Sequence, residues 1–340
     1  MSFQIKTIVS CVAAALLATA AGTAAAQVKE RRIKFSYPVS QTNPVGMATN
    51  KFIEVADQKS GGKFKITGYA DAQLGNEIQA MSSAQGGIIE LTVVSTAGAA
   101  NNVKELGIFD LPFLFQSVEE ADAVVDGPIG KQMLDKFSSK NLVGLCYWDY
   151  GFRQVSNSKH PIRKLEDFEG LKLRALQNRI YIDTFKALGA NPLPLPYPET
   201  YTALESKAID GQESAYLVTK SSGYQEIQKY LTETKHVYLP AVVMASKRFW
   251  DRLSPEEQGI LREACAESQA YHRKVSREME EDVVKELIAA GMEFNNIEPA
   301  ERARMIKATA PVTEKYKAEL GADLVNETLA EIEKVRAKQQ

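Results

Sequence analysis

Two arginines stand in company that a merely solubilising charge does not keep. Arg174 ends the run Gly170-Leu171-Lys172-Leu173-Arg174, where alternation sends Leu171 and Leu173 to one face and Lys172 and Arg174 to the other, so that Arg174 is free of the core. Arg153 falls in Trp148-Asp149-Tyr150-Gly151-Phe152-Arg153-Gln154, among aromatic and amide side chains. A guanidinium is a planar fork that meets a carboxylate with two parallel hydrogen bonds and keeps its charge. A bound carboxylate is the group such a fork serves. Each arginine also has a plainer reading, a salt bridge to an acid such as Asp149 or Glu213.

Covalent chemistry finds little support. The chain has no Walker loop, GxGxxG or GxSxG, and Ser60-Gly61-Gly62-Lys63 lacks the spacing of a phosphate cradle. His160, His236 and His272 are scattered, without HExxH or a Cys/His cluster, so neither a metal nor a cofactor is expected. The catalytic alternative is a secreted hydrolase using Glu77 and Asp149 as paired carboxylates.

The elements that must position these groups alternate between strand and helix. A strand from Arg32 to Tyr37 leads through Asn43-Pro44 into a helical run, and Gly61-Gly62 turns into the alternating strand from Lys63 to Tyr69. A helix follows Asn76, and Gly86-Gly87 leads into Ile88 to Val94, which is an α/β pattern. Ser254-Pro255-Glu256-Glu257 is a capping box with proline at the first helical position, and no Gly or Pro interrupts the chain from Ile260 to Ala290. The resulting helix of about 36 residues would be roughly 54 Å long, against about 30 Å for a small domain, and should bridge two lobes. Leu261, Cys265, Tyr271, Val275, Met279, Val283 and Leu287 are its expected buried stripe. A coiled-coil dimer helix would need sustained heptads, which are missing.

Residues 1–26, with Lys6, an apolar run from Ile8 to Ala21 and Ala24-Ala25-Ala26, read as a signal peptide cleaved after Ala26. Val9-Ser10-Cys11 is not a lipoprotein box, because most of the apolar run follows Cys11. Roughly 310 residues remain, a length that favours two domains. The full chain carries 41 Lys and Arg against 43 Asp and Glu, a formal charge of −2 that losing Lys6 shifts by one unit to −3, which leaves no footprint for nucleic acid. Cys146 lies in the apolar run Leu142 to Trp148 and Cys265 in the long helix; both are read as buried free thiols, with a disulfide between them left open for an exported chain.

Downstream of the arginines runs Tyr197-Pro198-Glu199-Thr200-Tyr201-Thr202-Ala203-Leu204-Glu205, closing on Asp210-Gly211-Gln212-Glu213. With Gln73-Leu74-Gly75-Asn76-Glu77, Phe109-Asp110-Leu111-Pro112-Phe113-Leu114-Phe115 and Tyr181 to Pro192, it resembles the solute-binding subunits of tripartite ATP-independent periplasmic (TRAP) transporters. These motifs occur in one order over more than 130 residues. The resemblance implies an α/β, two-lobed periplasmic binding protein with an interlobe ligand cleft and a long helix bridging both lobes. It places lobe I at 27–150 and 240–278, lobe II at 151–239 and 279–315, and a C-terminal helical extension at 316–340. It implies a monomeric receptor that delivers an organic acid to TRAP membrane subunits for ion-driven uptake. Receptors of ATP-driven transporters share the two lobes, but the bridging helix and the setting of Arg174 argue against them.

By the same resemblance Arg174 grips the ligand carboxylate and Arg153 assists, while Glu77, Asp149, Gln177, Asn178, Gln212, Ser214, Tyr216 and Tyr238 belong to segments that reach the cleft. One departure stands out: Gly-Gln-Glu usually continues with Asn or Gly, but here Ser214-Ala215-Tyr216 follows, leaving open whether Ser214 takes over that contact. Gln177 and Asn178 tilt the ligand towards a hydroxylated monocarboxylate such as a uronate or aldonate, because hydroxyls want mixed donors and acceptors. They would equally cap a helix starting near Arg179. Arg179 is either a second cation for a dicarboxylate or a solvated residue of the first helical turn. The alternative ligands are a C4-dicarboxylate or a keto acid. Trp148, Tyr150, Phe152, Tyr216 and Tyr238 are read as core or as an apolar wall against the ligand.

Overall fold

A computed structural model describes residues 28–339, so the expected signal peptide lies outside the described residues. Ten strands alternate with helices: β1 (Arg31–Ser36), β2 (Phe64–Tyr69), β3 (Leu91–Ser95), β4 (Leu142–Asn157), β5 (Lys172–Ala175), β6 (Asn191–Pro194), β7 (Gly211–Ala215), β8 (Tyr230–Glu233), β9 (Tyr238–Ser246) and β10 (Glu293–Asn296). The hydrogen-bonded order is β2-β1-β3-β9-β4-β7-β5-β6, with β8 on β4 and β10 on β8. Strands β1, β2 and β3 run parallel, as do β5, β6 and β7. Antiparallel β9 and β4 join the two sets.

The 16 residues of β4 carry the chain from one sheet to the other. From Leu142 to Phe152 it pairs with β9, and from Arg153 to Asn157 with β7. Arg153 is therefore the first residue of the crossing, and its N–H bonds Val237 O at 2.8 Å. The apolar run Leu142 to Trp148 is thus only the first half of a strand that continues through Gly151, with φ +84°, to Asn157.

The expected bridging helix runs from Pro255 to Ala289, 35 residues, about 52 Å at 1.5 Å per residue. Its capping box is formed: Glu257 N donates to Ser254 Oγ at 3.2 Å and Ser254 N to the Glu257 carboxylate at 2.8 Å. Ile260, Leu261, Ala264 and Cys265 bury with Phe35, Phe52 and Trp148. Val283 and Leu287 bury with Tyr216, Leu217, Leu231 and Met292 of the second sheet's lobe. Between these ends the stripe differs from expectation. Ser268, His272 and Ser276 are the buried positions, while Tyr271 and Val275 are half-buried. A turn of 3.6 residues leads from Cys265 to 268, 272 and 276, and the apolar residues nearest that line are one position off it.

Cys146 and Cys265 are bonded to each other, which corrects the reading of two free thiols. β4 and the long helix bring their Cα atoms to 5.9 Å, within disulfide reach, across a sequence separation of 119 that no sequence spacing reveals. The C-terminal helix Ala322–Gln339 buries Val325, Thr328 and Ile332, and Arg336 Nε donates to the buried Glu120 at 2.9 Å, fastening it to the first sheet's lobe. Among the described residues no helix is long and apolar enough to cross a membrane.

Candidate functional site

Parallel α/β sheets gather their ligand groups beyond the carboxyl ends of the strands. Here Pro38 and Val39 follow β1, Ser95 ends β3, Arg174 precedes the last residue of β5 and Ser214 that of β7. These residues meet around two adjoining cavities between the lobes, which share Pro38, Glu77, Arg174, Leu176 and Tyr197. Tyr150 and Arg153 of β4 and Leu239 of β9 complete the first. The charged side chains lining them are Glu77, Arg153 and Arg174.

Arg174 is 2 % exposed, yet among the described residues no carboxylate lies within ion-pair distance of it. Its Nε donates to Leu195 O at 3.0 Å, which fixes the guanidinium plane. Burial pushes its pKa down from the ordinary arginine value. A buried charge without a counter-ion is costly unless something completes it. An incoming carboxylate would do so.

Arg153 is the opposite case. Its Nε pairs with Glu213, the two side chains being fully enclosed, and His236 Nε2 lies 3.3 Å from the same carboxylate oxygen. Burial pushes Glu213 up, but Arg153 and His236 outweigh it and hold the carboxyl at about 2. His236 is pushed down by burial, towards the neutral form. Thus the plain salt-bridge reading describes Arg153, which keeps no net charge to offer, while it fails for Arg174.

Glu77 opens the helix Glu77–Gly86 behind its Asn76 cap. Both carboxylate oxygens are held by Ser95, one by its N–H at 2.8 Å and one by its hydroxyl at 2.7 Å. Burial raises its pKa against those hydrogen bonds and the pull of Arg174 and Arg153.

The other expected site residues fall in several places. Ser214 lines the first cavity and Gln177 the second. Asn178 is an N-cap: its Oδ1 accepts from Ile180 N at 2.8 Å, and its Nδ2 donates to Ala97 O and Asp110 Oδ2 across the cleft, each at 2.9 Å. Gln212 Nε2 donates to Ser156 Oγ at 2.9 Å, and the Tyr216 hydroxyl to Glu233 at 2.9 Å. Tyr238 packs edge-on to Phe152 at 5.1 Å. Asp149 Oδ2 lies 3.8 Å from His272 Nδ1, facing the long helix. None of these last four lines the two cavities, so Glu77 and Asp149 are not brought together as a catalytic pair. Arg179 is exposed and pairs with Glu319 at 3.4 Å, away from both cavities. The sequence reading missed Ser95 and Tyr197, although the end of β3 was a signal for Ser95.

Residues 35–319 match the family described as bacterial extracellular solute-binding protein, family 7. A solved structure of the sugar acid binding protein of Advenella mimigardefordensis, in complex with galactonate, is 42% identical and superposes with a TM-score of 0.89 over 90% of this chain and 99% of that one. A TRAP periplasmic solute-binding protein of Sulfurospirillum deleyianum with bound succinate is 29% identical, with a TM-score of 0.85 over 89% and 99% of the two chains. The 2,3-diketo-L-gulonate-binding periplasmic protein of Escherichia coli is 33% identical over 82% of this chain and 85% of its own length. The match of the family over most of the chain, together with two lobes enclosing an unpaired arginine, makes the conclusion plain: the chain belongs to family 7 of the bacterial extracellular solute-binding proteins, the TRAP transporter receptors, which are not enzymes.

Proposed function

We propose that this receptor closes over a hydroxylated monocarboxylate of the aldonate or uronate kind and hands it to TRAP membrane subunits. One observation carries the reading: the cavities hold a single cation without a partner, Arg174, beside a carboxyl group, Glu77. One ligand carboxylate finds its counter-charge there. A second would find Arg153 already neutralised by Glu213 and Arg179 outside the site. Glu77, Ser214 and the tyrosines instead supply donors and acceptors of the sort that hydroxyls want. The likeness to a galactonate complex supports the same choice, since that protein is more similar to this chain than the succinate-bound one.

Lobe closure expels water, so the Arg174 pair acts in a lowered dielectric while polar contacts discriminate among acids. Within this reading lobe I comprises 27–150 and 240–278, lobe II 151–239 and 279–315, and residues 1–26 are removed on export. Competition calorimetry tests the ligand class: galactonate should bind at least about tenfold tighter than succinate, the equivalent of ~1.4 kcal/mol. Tighter binding of succinate than of every sugar acid would make the receptor one for C4-dicarboxylates.

A further inference from the structure

In the antiparallel pair of β4 and β9, Asp149 faces Pro240 and Gly151 faces Leu239, so Tyr150 is the extra residue of a β-bulge. Bulges turn a side chain away from the ordinary alternation and are often found beside sites. Gly151 supplies the positive φ of +84° that lets the strand recover its course. The displaced Tyr150 lines the cavity that holds Arg174, Glu77 and Ser214. It is 8 % exposed, and its hydroxyl is buried without any hydrogen-bond partner. Buried hydroxyls in native proteins are nearly always paired, and one left bare beside a cavity calls for a partner from within it.

We infer that Tyr150 is a specificity-determining residue whose phenol reads an alcohol group of the bound acid. Burial, with the nearby Glu77 charge, pushes the phenol's ionisation well above its ordinary value. It therefore stays neutral, able to donate one hydrogen bond and to accept another. An alcohol has the same dual capacity, whereas Arg174 already answers the carboxylate. An acid without hydroxyls would close the lobes over a phenol that has lost water and gained nothing, a penalty that hydrogen-bonding sites use to reject deoxy analogues. The inference rests on the hydroxylated-acid reading and adds the residue that enforces it.

The test is calorimetry on the mature protein and its Tyr150→Phe variant, with galactonate and succinate as probes and the ligand-free melting temperature as a check on folding. Removing one hydroxyl should weaken galactonate by roughly tenfold or more, while succinate should bind no more weakly and gain as the penalty on the bare phenol is lifted. Deoxygalactonates give a second measurement in the wild type: one of them should lose as much as the variant does, and the two losses should not add. Unchanged galactonate affinity in the variant would overturn the role of Tyr150 while leaving the sugar-acid reading intact. Equal weakening of galactonate and succinate would also overturn it, by making Tyr150 a packing group. If the wild type binds succinate but no sugar acid, the ligand reading fails and this inference with it.

Discussion

Asn178 reaches across the cleft to Asp110, donating at 2.9 Å to an oxygen of a carboxyl group that is wholly buried and whose other oxygen has no partner. The same amide nitrogen bonds Ala97 O, so one side chain is tied both to Asp110 and to the turn that follows β3. Asn101 adds a longer bond to Gln177 O at 3.4 Å, and Asn43 reaches Ser221 Oγ at 3.2 Å. Asn178, Asn101 and Asn43 thus carry polar contacts between segments that flank the ligand cavities.

Burial pushes Asp110 up to about 8, against the Asn178 hydrogen bond and the charge of Arg153. An acid raised in this way binds more protons folded than unfolded between its ordinary value of 3.8 and about 8. Its contribution to stability is therefore most favourable at the acid end and declines as pH rises across that window. Asp110→Asn should remove the decline, so the variant's melting temperature should gain on wild type between pH 4.5 and pH 8.5. A difference that stays constant with pH would show that Asp110 does not titrate in this range.

Glu213 works in the other direction. Its carboxyl, held at about 2, contributes stability that is present above the ordinary glutamate value of 4.5 and is lost as pH falls towards 2. Glu213→Gln breaks a buried ion pair, for which a loss of ~3 to 5 kcal/mol is expected, and should flatten the acid limb of the stability profile. It also frees the charge of Arg153 beside the cavity. Where the variant folds, succinate should gain on galactonate, and competition binding that leaves their ratio unaltered would refute the idea that Glu213 sets the charge of the site.

How much of this was legible in the sequence depends on whether the signal was local. Arg174 stood out because strand alternation separated it from Leu171 and Leu173, and the long helix because its cap and its lack of Gly and Pro are local facts. The α/β order was readable for the same reason. The state of Arg153 was not, because its partner Glu213 lies 60 residues away and only the β4–β7 register joins them. The Cys146–Cys265 bond was hidden likewise behind 119 residues. Tyr150 was read as core or as a wall against the ligand, and which way it faces is set by a bulge that plain alternation cannot announce. Asn178 was read both as a cap and as a cleft residue, and its two ends do serve both elements, although it lines neither ligand cavity.

The Cys146–Cys265 bridge ties β4 to the first third of the long helix, the part packed on the first sheet. Cross-linking so long a loop restricts the unfolded chain, and removing a native disulfide costs about 2 to 5 kcal/mol. Urea unfolding with and without reductant should show that loss as a lower midpoint. Because neither sulfur lines the ligand cavities, affinity at low temperature should be little changed in Cys146→Ser/Cys265→Ser. A reduced protein as stable as the oxidised one would mean the bridge contributes nothing to the fold.

Arg174→Ala tests the centre of the site. In the closed complex the ligand carboxylate would lose a charge-assisted fork and remain buried without a counter-charge, a loss of ~2 to 5 kcal/mol. Arg174→Lys should restore only part of it, because an ammonium cannot present two parallel donors and a shorter reach leaves Leu195 O without its partner. The fold should survive, since Arg174 makes no ion pair among the described residues and its removal relieves the desolvation that pushes its pKa down. The expected pattern is therefore abolished binding with a ligand-free melting temperature equal to or above that of wild type. Calorimetry showing wild-type affinity in the alanine variant would remove Arg174 from the site, and a large drop in the ligand-free melting temperature would recast it as a structural residue.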